Sequence, residues 1–320
     1  MKTSIITGIS GQDGPYLAKF LLKKGYRVIG TVRSYRNSNV KGLEYLQIDD
    51  QVILEELDLL DITNVIRIFQ KYRPDEVYNL AAQSSVGLSF AQPIGTFTFN
   101  TMSVTNLLET IRLLSPSTKL YQASSSEMYG HVKDLPIRLN TAMQPVSPYA
   151  VSKSAAHFMA MNYRNAYNLF VCNGILFNHE SYLRSENFFV KKVIREAIRV
   201  KRGQREFIRV GNLDIKRDFG YAPRYVEAMW LMMQLGQPDD FIVCSGESIL
   251  LADIVAHVLG KLKLNKGVLV CDEKLFRPNE VYEIYGDNSK AKVVLNWDYD
   301  LSFFDILDYL IDEEIATWNG

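Results

Sequence analysis

The chain of 320 residues has few of the residues that build disulfide frameworks and metal sites. Its three cysteines, Cys172, Cys244 and Cys271, are odd in number and widely separated, which argues against a disulfide framework. Four scattered histidines show no spacing that would hold zinc, so no metal is expected. No stretch approaches the ~20 apolar residues of a membrane helix, and the amino terminus does not resemble a signal peptide, which predicts a cytoplasmic protein.

The charges of the chain balance, with 36 lysines and arginines against 36 aspartates and glutamates. A protein that binds nucleic acid or a membrane surface through charge usually carries a basic excess, so neither partner is predicted. Apolar residues make up 47% of the chain, which is enough to build a large buried core. The composition therefore indicates a globular protein without a polyanionic partner.

Short apolar segments alternate with longer helical patterns over the first half of the chain. The segments "SIIT", "EVYNLAA" and "FVCNGILF" lack the alternation of a half-exposed strand, as expected where helices cover both faces of a sheet. This βαβ series predicts an α/β fold with a Rossmann-like, doubly wound parallel sheet. The predicted strands are 4–7, 27–32, 52–57, 76–81, 119–123 and 169–176. A first helix is predicted to begin at about residue 14, and three further helices are predicted at 62–72, 98–114 and 149–167.

The alternating pattern ends after residue 177. Helices predicted at 187–201, 224–235 and 250–262 mix there with short isolated strands. We expect a dinucleotide-binding Rossmann domain over 1–177, with a returning segment at about 213–240. A smaller mixed α/β region, 178–212 and 241–320, is expected to bind the substrate over the carboxyl edge of the sheet, where such sheets bind ligands.

Three glycines follow the first predicted strand in "TGISGQDG". Gly8, Gly11 and Gly14 allow a tight turn and the close approach of a pyrophosphate to backbone N–H groups at the start of a helix. A purely structural turn is the alternative. The position at the first strand–helix junction of a βαβ series favours a dinucleotide site.

Residues after the second and third strands bear on the choice of coenzyme. Arg33, with help from Arg36, favours NADP because a cation accommodates the 2′-phosphate, whereas NAD enzymes often have an acidic residue here. Surface arginines without a function are the alternative. Asp58 is predicted either to contact the adenine or to cap the next helix.

Tyr149 and Lys153 in "SPYAVSK" lie on one face of a predicted helix. A lysine ammonium near the phenol, with an oxidised nicotinamide above it, lowers the pKa of the tyrosine from about 10 toward the working pH. Tyr149 is then a candidate base. The order of glycine loop, strand ending at Ser125 and YxxxK pair is that of the short-chain dehydrogenase/reductases.

The segment "SSSEMYG", residues 124–130, places Ser125, Glu127 and Tyr129 on alternate residues. In an extended strand they would share one face, which usually meets solvent or a substrate. Oxidation of an alcohol needs a hydroxyl and the tyrosine but no carboxylate. Glu127 therefore predicts a second proton transfer, from a carbon made acidic by a new ketone, as in an elimination. A structural salt bridge is the alternative for Glu127.

Several long motifs resemble, in order and spelling, those of the GDP-mannose 4,6-dehydratases, extended members of that superfamily. They span residues 3 to about 298 and read "TGISGQDGPYLAKFLLKKGY", "YNLAAQSSVGLSF", "YQASSSEMYG", "SPYAVSK", "CNGILFNHES", "GNLDIKRDFG" and "FRPNEVYEIYGDNSKAK". The resemblance implies a hydro-lyase that oxidises C4 of a GDP-sugar, eliminates water across C5 and C6, and returns the hydride to C6 with no net use of NADP. Such products commonly feed surface-polysaccharide synthesis.

The resemblance also implies a role for each matching residue. Tyr149 takes the proton of the 4-hydroxyl, and Lys153 tunes Tyr149 and holds the nicotinamide ribose. Ser125 hydrogen-bonds to the 4-oxygen, and Glu127 removes the C5 proton and assists loss of the 6-hydroxyl. The implied coenzyme contacts are Gly8, Gly11, Gln12, Asp13, Gly14, Arg33, Asp58, Leu59, Leu80, Ala81, Ala82, Tyr149 and Lys153. The implied substrate contacts are Ser84, Ser85, Asn178, Lys192, Arg217, Arg277 and Glu280.

Within the substrate set, Asn178, Arg217 and Arg277 are implied to hold the diphosphate, where guanidinium groups supply bidentate hydrogen bonds. Glu280 is implied to fix Arg277. A structural ion pair between Arg217 and Asp218 is the alternative for Arg217.

Departures from the family pattern affect the coenzyme and the sugar. Ser125 replaces the usual threonine and keeps the hydroxyl. Ser34 and Gly42 stand where arginines are usual, which leaves NAD open beside NADP. Ser85 replaces a histidine of the sugar loop, and "YLRSENF" replaces an arginine- and glycine-rich segment. GDP-manno-heptose is therefore the first neighbour of GDP-mannose to consider.

Two other functions compete with the dehydratase. One is a GDP-sugar 4-dehydrogenase, 4-reductase or epimerase that does not eliminate water, and Glu127 argues against it. The other is a sensor that binds NADP(H) without turnover, which the intact catalytic residues disfavour. The resemblance also implies a homodimer or homotetramer built on paired long helices, including the helix that carries Tyr149.

Overall fold

A seven-stranded parallel sheet forms the centre of the molecule in the computed structural model, which describes residues 1–37, 39–276 and 278–318. The strands in chain order are β1 (Thr3–Thr7), β2 (Arg27–Val32), β3 (Ile53–Glu56), β4 (Glu76–Asn79), β5 (Lys119–Ser125), β6 (Val171–Leu176), β7 (Asn178–Glu180), β8 (Ile208–Val210), β9 (Lys216–Arg217), β10 (Phe219–Tyr221), β11 (Asp240–Val243), β12 (Ile249–Leu250), β13 (Leu269–Cys271) and β14 (Glu283–Ile284). The order in the central sheet is β11-β6-β5-β4-β1-β2-β3. The predicted α/β fold is confirmed.

Helices cover both faces of this sheet. They are α1 (Asp13–Lys23), α2 (Lys41–Tyr45), α3 (Ile62–Tyr72), α4 (Val86–Ala91), α5 (Pro93–Leu114), α6 (Pro148–Tyr167), α7 (Phe189–Lys201), α8 (Ala222–Met233), α9 (Leu251–Leu262), α10 (Ser289–Leu295) and α11 (Phe303–Ala316). One face packs against α1, α8 and α10, and the other packs against α3, α5 and α6. In the described part of the chain, no helix has the length and apolar character needed to cross a membrane.

The central strands are apolar on both sides because both sides are covered. Ile5 and Ile6 are adjacent in β1 and therefore point to opposite faces, yet both are fully buried, Ile5 on the α3 side and Ile6 on the α1 side. Val77 and Tyr78 of β4 divide in the same way. This explains why the sequence shows continuous apolar runs without alternation.

A smaller region packs against the carboxyl edge of the sheet. Its core joins α7, α9 and α11 with β8 and β10. Three short sheets lie outside the central one: β7 with β10, β8 with β13, and β9 with β12 and β14.

The structure moves several predicted boundaries and adds helices that were not predicted. Helix α5 begins at Pro93 instead of residue 98, because a proline's fixed φ and missing N–H suit the first turn of a helix. Helix α6 begins at Pro148, where the Ser147 hydroxyl accepts a hydrogen bond from the Ala150 N–H at 3.1 Å. Helices α2, α4, α10 and α11 were not predicted.

The predicted extended face of "SSSEMYG" is wrong. Strand β5 ends at Ser125, and residues Ser126–Tyr129 form a 3-10 helix that Ser125 caps by accepting a hydrogen bond from the Glu127 N–H at 3.3 Å. The turn sends Tyr129 into a buried cluster with Met128 and Ile137, away from Ser125. Tyr129 therefore does not share a face with Ser125 and Glu127.

The segment predicted to return to the first domain does pack on the central sheet, through α8 against α1. Strand β11 continues this sheet past residue 240, as far as Val243, and pairs with β6. Strands β9 and β10, which lie early in the same segment, belong to the small sheets instead. The division of the chain into two functional domains stays a prediction.

Candidate active site

A cleft of about 860 Å³ opens where the central strands end. It runs from the glycine loop after β1, past the ends of β2 and β4, to Ser125 at the end of β5 and Asn178 beyond β6. The predicted site residues that line it are Gly8, Gly11, Gln12, Asp13, Gly14, Arg33, Asp58, Leu59, Leu80, Ala81, Ala82, Ser84, Ser85, Ser125, Glu127, Tyr149, Lys153 and Asn178. The structure brings these residues into one cleft, and their individual roles stay predictions.

The glycine positions of the loop after β1 have no room for a side chain. Gly8 has φ +72°, and a Cβ there would lie 2.9 Å from the backbone nitrogen of Ala81. A Cβ on Gly14 would lie 2.7 Å from the Gly8 carbonyl oxygen. The loop therefore packs tightly against the end of β4 and leads directly into α1, and this arrangement fits a dinucleotide pyrophosphate at the helix amino terminus.

The side chains of Gln12 and Asp13 face strand β7. Gln12 Nε2 donates to the His179 carbonyl at 2.9 Å, and Ser181 Oγ donates to Gln12 Oε1 at 3.1 Å. The Asp13 carboxylate accepts from His179 Nε2, at 3.0 Å to Oδ2. Because their side chains are engaged with β7, Gln12 and Asp13 would contact a coenzyme phosphate through their backbone N–H groups.

Arg33 and Asp58 lie together at the end of the cleft expected to hold the adenosine. Their side chains form an ion pair at 3.8 Å, and Arg33 is largely exposed. Asp58 accepts a hydrogen bond from the Leu60 N–H at 3.0 Å. The alternative role of Asp58 as a helix cap is wrong, because Asp61 caps α3 by accepting from the Thr63 N–H at 2.9 Å.

Tyr149 is buried at the centre of the cleft, with 8% of its surface exposed. Burial raises the pKa of Tyr149 to about 12, the charge of Glu127 adds to this, and a hydrogen bond with Ser125 acts against it. The predicted lowering of the Tyr149 pKa is therefore absent in the protein alone. The reason is that desolvation disfavours the phenolate more than the described neighbours favour it.

Lys153 lies one helical turn from Tyr149 on α6. Its ammonium donates a hydrogen bond to the carbonyl oxygen of Ala123 in β5. Burial lowers the pKa of Lys153 to about 8. The carbonyl holds the lysine between α6 and the sheet, where it lines the cleft.

Sequence comparisons place the chain in a family. The family model described as GDP-mannose 4,6 dehydratase matches residues 5–310. The chain belongs to this family.

Related proteins from a plant and a bacterium agree. GDP-mannose 4,6 dehydratase 2 of Arabidopsis thaliana is 43% identical over 325 residues, covering 98% of this chain and 87% of the relative. GDP-mannose 4,6-dehydratase of Vibrio cholerae is 38% identical over 351 residues, covering 99% of this chain and 94% of the relative.

Solved structures share the fold at lower identity. A UDP-glucose 4-epimerase from Thermotoga maritima, solved with UDP-glucose, has a TM-score of 0.88 at 23% identity and covers 98% of this chain and 99% of its own. A dTDP-glucose 4,6-dehydratase from Streptomyces venezuelae, solved with NAD, has a TM-score of 0.88 at 18% identity, covering 98% and 97%. At these identities the likeness shows the architecture alone.

In this GDP-mannose 4,6-dehydratase family member, part of the predicted substrate set lies outside the cleft. Lys192, Arg217 and Glu280 are absent from its lining as the described residues form it. Arg217 is buried, forms an ion pair with Glu280 at 3.6 Å, and donates to the Lys216 carbonyl at 2.9 Å. Arg277, which Glu280 was expected to fix, lies outside the described residues.

Asp218, the alternative partner of Arg217, accepts several hydrogen bonds from the loop after β11. Its carboxylate accepts hydrogen bonds from the Ser245 N–H at 2.8 Å, the Ser245 hydroxyl at 2.7 Å and the Gly246 N–H at 3.0 Å. Burial raises the pKa of Asp218 to about 6, and these hydrogen bonds act against the rise. Asp218 thus ties the segment carrying Arg217 to the loop after β11.

Two basic residues that line the cleft of this family member were not predicted from the sequence. Arg184 lines the cleft, lies 3.5 Å from Glu180, and stacks its guanidinium 3.6 Å from the centre of the Phe188 ring. His179 lines the same wall. Both follow the end of β6, close to Asn178, which only the family resemblance had implied. Their position after a strand end was the signal available in the sequence.

Proposed function

We propose that the protein is a GDP-sugar 4,6-dehydratase, a hydro-lyase that converts GDP-mannose, or a close relative such as GDP-manno-heptose, to the GDP-4-keto-6-deoxy sugar. Membership of the family supports this activity. The observation that carries the proposal is the placement of Glu127 in one cleft with Ser125, Tyr149 and Lys153. A 4-dehydrogenase, 4-reductase or epimerase would have no use for that carboxylate.

Oxidation at C4 falls to Tyr149 and Ser125. Tyr149 removes the proton of the sugar 4-hydroxyl, and Ser125 hydrogen-bonds to the 4-oxygen as it becomes a carbonyl. Because burial holds the pKa of Tyr149 at about 12, the phenol needs an added positive charge to act as a base. Bound NADP would take the hydride from C4, return it to C6 and, when oxidised, place positive charge near the phenol.

Elimination falls to Glu127. The new C4 carbonyl makes the C5 hydrogen acidic, and the Glu127 carboxylate removes it. The same group then gives a proton to the departing 6-hydroxyl, which leaves as water, so a single residue serves as base and acid in turn. The hydride would then return to C6, and C5 takes up one proton in exchange with solvent. That proton balances the one that Tyr149 removed from the 4-hydroxyl, so the cycle has no net use of coenzyme.

NADP is the proposed coenzyme. Arg33 follows β2, where the ribose of a dinucleotide is bound in this fold, and its guanidinium is exposed toward the cleft with Asp58 beside it. A 2′-phosphate could pair with Arg33 in place of Asp58. Because Ser34 and Gly42 supply no further cations, we expect a moderate preference over NAD.

The substrate diphosphate is proposed to bind across the smaller region. Asn178 lines the cleft, and Arg217 on β9 forms an ion pair with Glu280. Arg277 and Lys192 complete the proposed cationic set. Ser84 and Ser85 are proposed to contact the sugar, and Ser85 also caps α4 by accepting from the Leu88 N–H at 3.2 Å.

A homo-oligomer, a dimer or a tetramer, is proposed for the assembly. Helices α5 and α6 pack side by side, and their outer faces expose Ile94, Phe97 and Met102 on α5 and Val151, Phe158 and Met159 on α6. A second copy of the chain would bury this apolar face. The cytoplasmic location stays a prediction.

The test is an NMR time course of purified protein with GDP-mannose in deuterated water, followed by GDP-manno-heptose, without added coenzyme. We expect a 4-keto-6-deoxy product with deuterium at C5. The Glu127→Gln variant should lose the product by roughly 10²–10⁴-fold, the usual contribution of one general acid–base group. Glu206→Gln, at an exposed position, is the matched control.

Two outcomes would overturn the proposal. Oxidation at C4 that stops with reduced coenzyme trapped would identify a dehydrogenase. Full product formation by Glu127→Gln would remove Glu127 from the elimination. Turnover of the heptose but not of GDP-mannose would keep the reaction and change the sugar.

A further inference from the structure

Asp13 and His179 join two parts of the chain that contact different ligands in the proposed reaction. Asp13 ends the glycine loop and begins α1, which face the coenzyme. His179 lies in β7 next to Asn178 of the proposed substrate site. Their side chains are both mostly buried.

The hydrogen bonds of His179 define its charge. Nδ1 lies 2.7 Å from the Phe177 carbonyl oxygen, and Nε2 lies 3.1 and 3.0 Å from the two oxygens of Asp13. A carbonyl and an ionised carboxylate can only accept, so each ring nitrogen must carry a hydrogen. His179 is therefore an imidazolium, and its bond to Asp13 is charge-assisted.

The surroundings hold this cation in place. The His179 ring lies 4.5 Å from the ring of Tyr225 at 31°, so an aromatic face covers it. Gly220 packs so closely on Tyr225 that a Cβ there would lie 2.3 Å from its ring. Among the neighbours, Arg184 opposes the charge of His179 and Glu180 of the same strand favours it.

We propose that His179 is a positioning residue that holds Asp13, and with it the glycine loop, against strand β7, so that the coenzyme stays bound between the two hydride transfers. The inference rests on the proposed function for its purpose. An internal redox cycle fails whenever reduced coenzyme leaves before the hydride returns, so slow coenzyme release has a direct use. The hydrogen bonds of Gln12 to His179 and of Ser181 to Gln12 strengthen the same contact.

The proposal predicts a direction of pH dependence. Burial disfavours the imidazolium, but the charge and hydrogen bond of Asp13 outweigh burial and raise the pKa of His179. The same contact lowers the pKa of Asp13, against the effect of its own burial. The ion pair is therefore complete between the lowered pKa of Asp13 and the raised pKa of His179. As the pH rises through that pKa, one ring nitrogen loses its hydrogen, a lone pair faces an acceptor, and the contact loosens.

The experiment measures the release rate of reduced NADP from the full-length protein, by loss of its bound fluorescence when excess oxidised coenzyme is added. In the wild type, release should accelerate about tenfold from mildly acidic to alkaline pH, the effect of losing one charge-assisted hydrogen bond. His179→Gln keeps a donor toward Asp13 without the charge. It should release the coenzyme rapidly at every pH, with a flat profile. Asp13→Asn should behave in the same way, and the double variant should add little.

The matched control is His257→Gln. His257 also pairs with an aspartate, Asp308, at 2.8 Å, but the pair lies between α9 and α11, outside the described cleft lining. It should leave both the rate and the pH profile of release unchanged. Thermal unfolding of each coenzyme-free variant separates a folding defect from faster release, and the wild-type pH series needs no variant.

A pH-independent release rate in the wild type, or a His179→Gln profile equal to that of the wild type, would overturn the proposal. The measurement contains no sugar. The two proposals can therefore fail separately. If the coenzyme is released as expected but no 4-keto-6-deoxy product forms, the proposed function is wrong and the role of His179 stands.

Discussion

At the scale of single residues, two buried tyrosines near the end of β5 have different surroundings. One lines the cleft, and the other lies in the apolar core. Tyr149 has a hydrogen bond with Ser125 and faces the cleft. The Tyr129 hydroxyl, only a few residues from Ser125, is buried with no hydrogen-bond partner among the described residues. The two phenols are chemically identical, so position alone decides which of them can take a proton from a sugar.

This difference predicts opposite effects for the same substitution. Tyr149→Phe should slow C4 oxidation by roughly 10²–10⁴-fold, because it removes the proposed general base. Tyr129→Phe should leave the rate within twofold, since its hydroxyl makes no hydrogen bond among the described residues. The measurement is the single-turnover appearance of reduced coenzyme absorbance after mixing with GDP-mannose. Equal losses of rate in the two variants would contradict this prediction. They would favour the extended segment predicted from the sequence, with Tyr129 beside Ser125, over the 3-10 helix of the structure.

The residues that could be predicted from the sequence were those that lie in local motifs at strand ends. Gly8 and Ser125 are of this kind, because parallel strands end at one edge and bring such residues together. Tyr149 was predicted instead from its spacing to Lys153 at the start of helix α6. The pairing of His179 with Asp13 could not be predicted. It depends on packing between β7 and α1, which are distant in the sequence, and no local pattern encodes such a contact.

At the scale of elements, one buried amide connects the loop proposed to bind the sugar to helix α6. Asn100 of α5 is 2% exposed and accepts from the Gln83 N–H at 2.9 Å. Its Nδ2 donates to the Gln83 carbonyl at 3.1 Å and to Ser152 Oγ at 2.9 Å. Ser152 in turn donates to the Tyr149 carbonyl at 2.7 Å. The position of the loop carrying Ser85 is thus set relative to Tyr149.

The Asn100→Asp variant tests this connection. A carboxylate oxygen would replace the donor that faces the Gln83 carbonyl, at a cost of about 1–3 kcal/mol in the free energy of unfolding. We expect a higher KM for GDP-mannose and a lower kcat, because the sugar loop shifts from the catalytic helix. Steady-state kinetics and urea unfolding measure the two effects.

The control for this variant is Asn106→Asp on the same helix. Asn106 donates to the Leu59 carbonyl at 2.8 Å, on the coenzyme side of the cleft. It should cost similar stability while the KM for the sugar stays the same. Equal changes in KM would mean that any damage to α5 has this effect, and Asn100 would then have no special role.

The sequence predicted the elements of the sheet better than those of the smaller region. Strands and helices of the first half alternate in a regular βαβ pattern, and each predicted strand overlaps an observed one. Helix α11 was missed although its apolar face packs in the second core through Leu307 and Ile311. No βαβ rhythm surrounds α11, and the short strands near it depend on pairing partners far away in the chain.

At the scale of the whole molecule, the outer face of α5 and α6 is the feature that a monomer leaves unexplained. Ile94 is 81% exposed and Phe158 is 54% exposed. On α6, Val151, Phe158 and Met159 have the spacing of one helical stripe. The opposite face of α6 carries Tyr149 and Lys153. A second copy packed on the stripe would hold the catalytic helix from behind.

The Phe158→Asp variant tests the assembly without touching the cleft lining. A charge in place of a buried aromatic at an interface costs roughly 2 kcal/mol or more, which raises the dissociation constant about 30-fold. Light scattering at working concentration should give a mass above that of one chain for the wild type and a lower mass for the variant. Val293→Asp, at an exposed position on α10, is the control and should keep the wild-type mass. A wild-type protein with the mass of one chain would contradict the proposed oligomer. An unchanged mass for Phe158→Asp would move the interface to another surface.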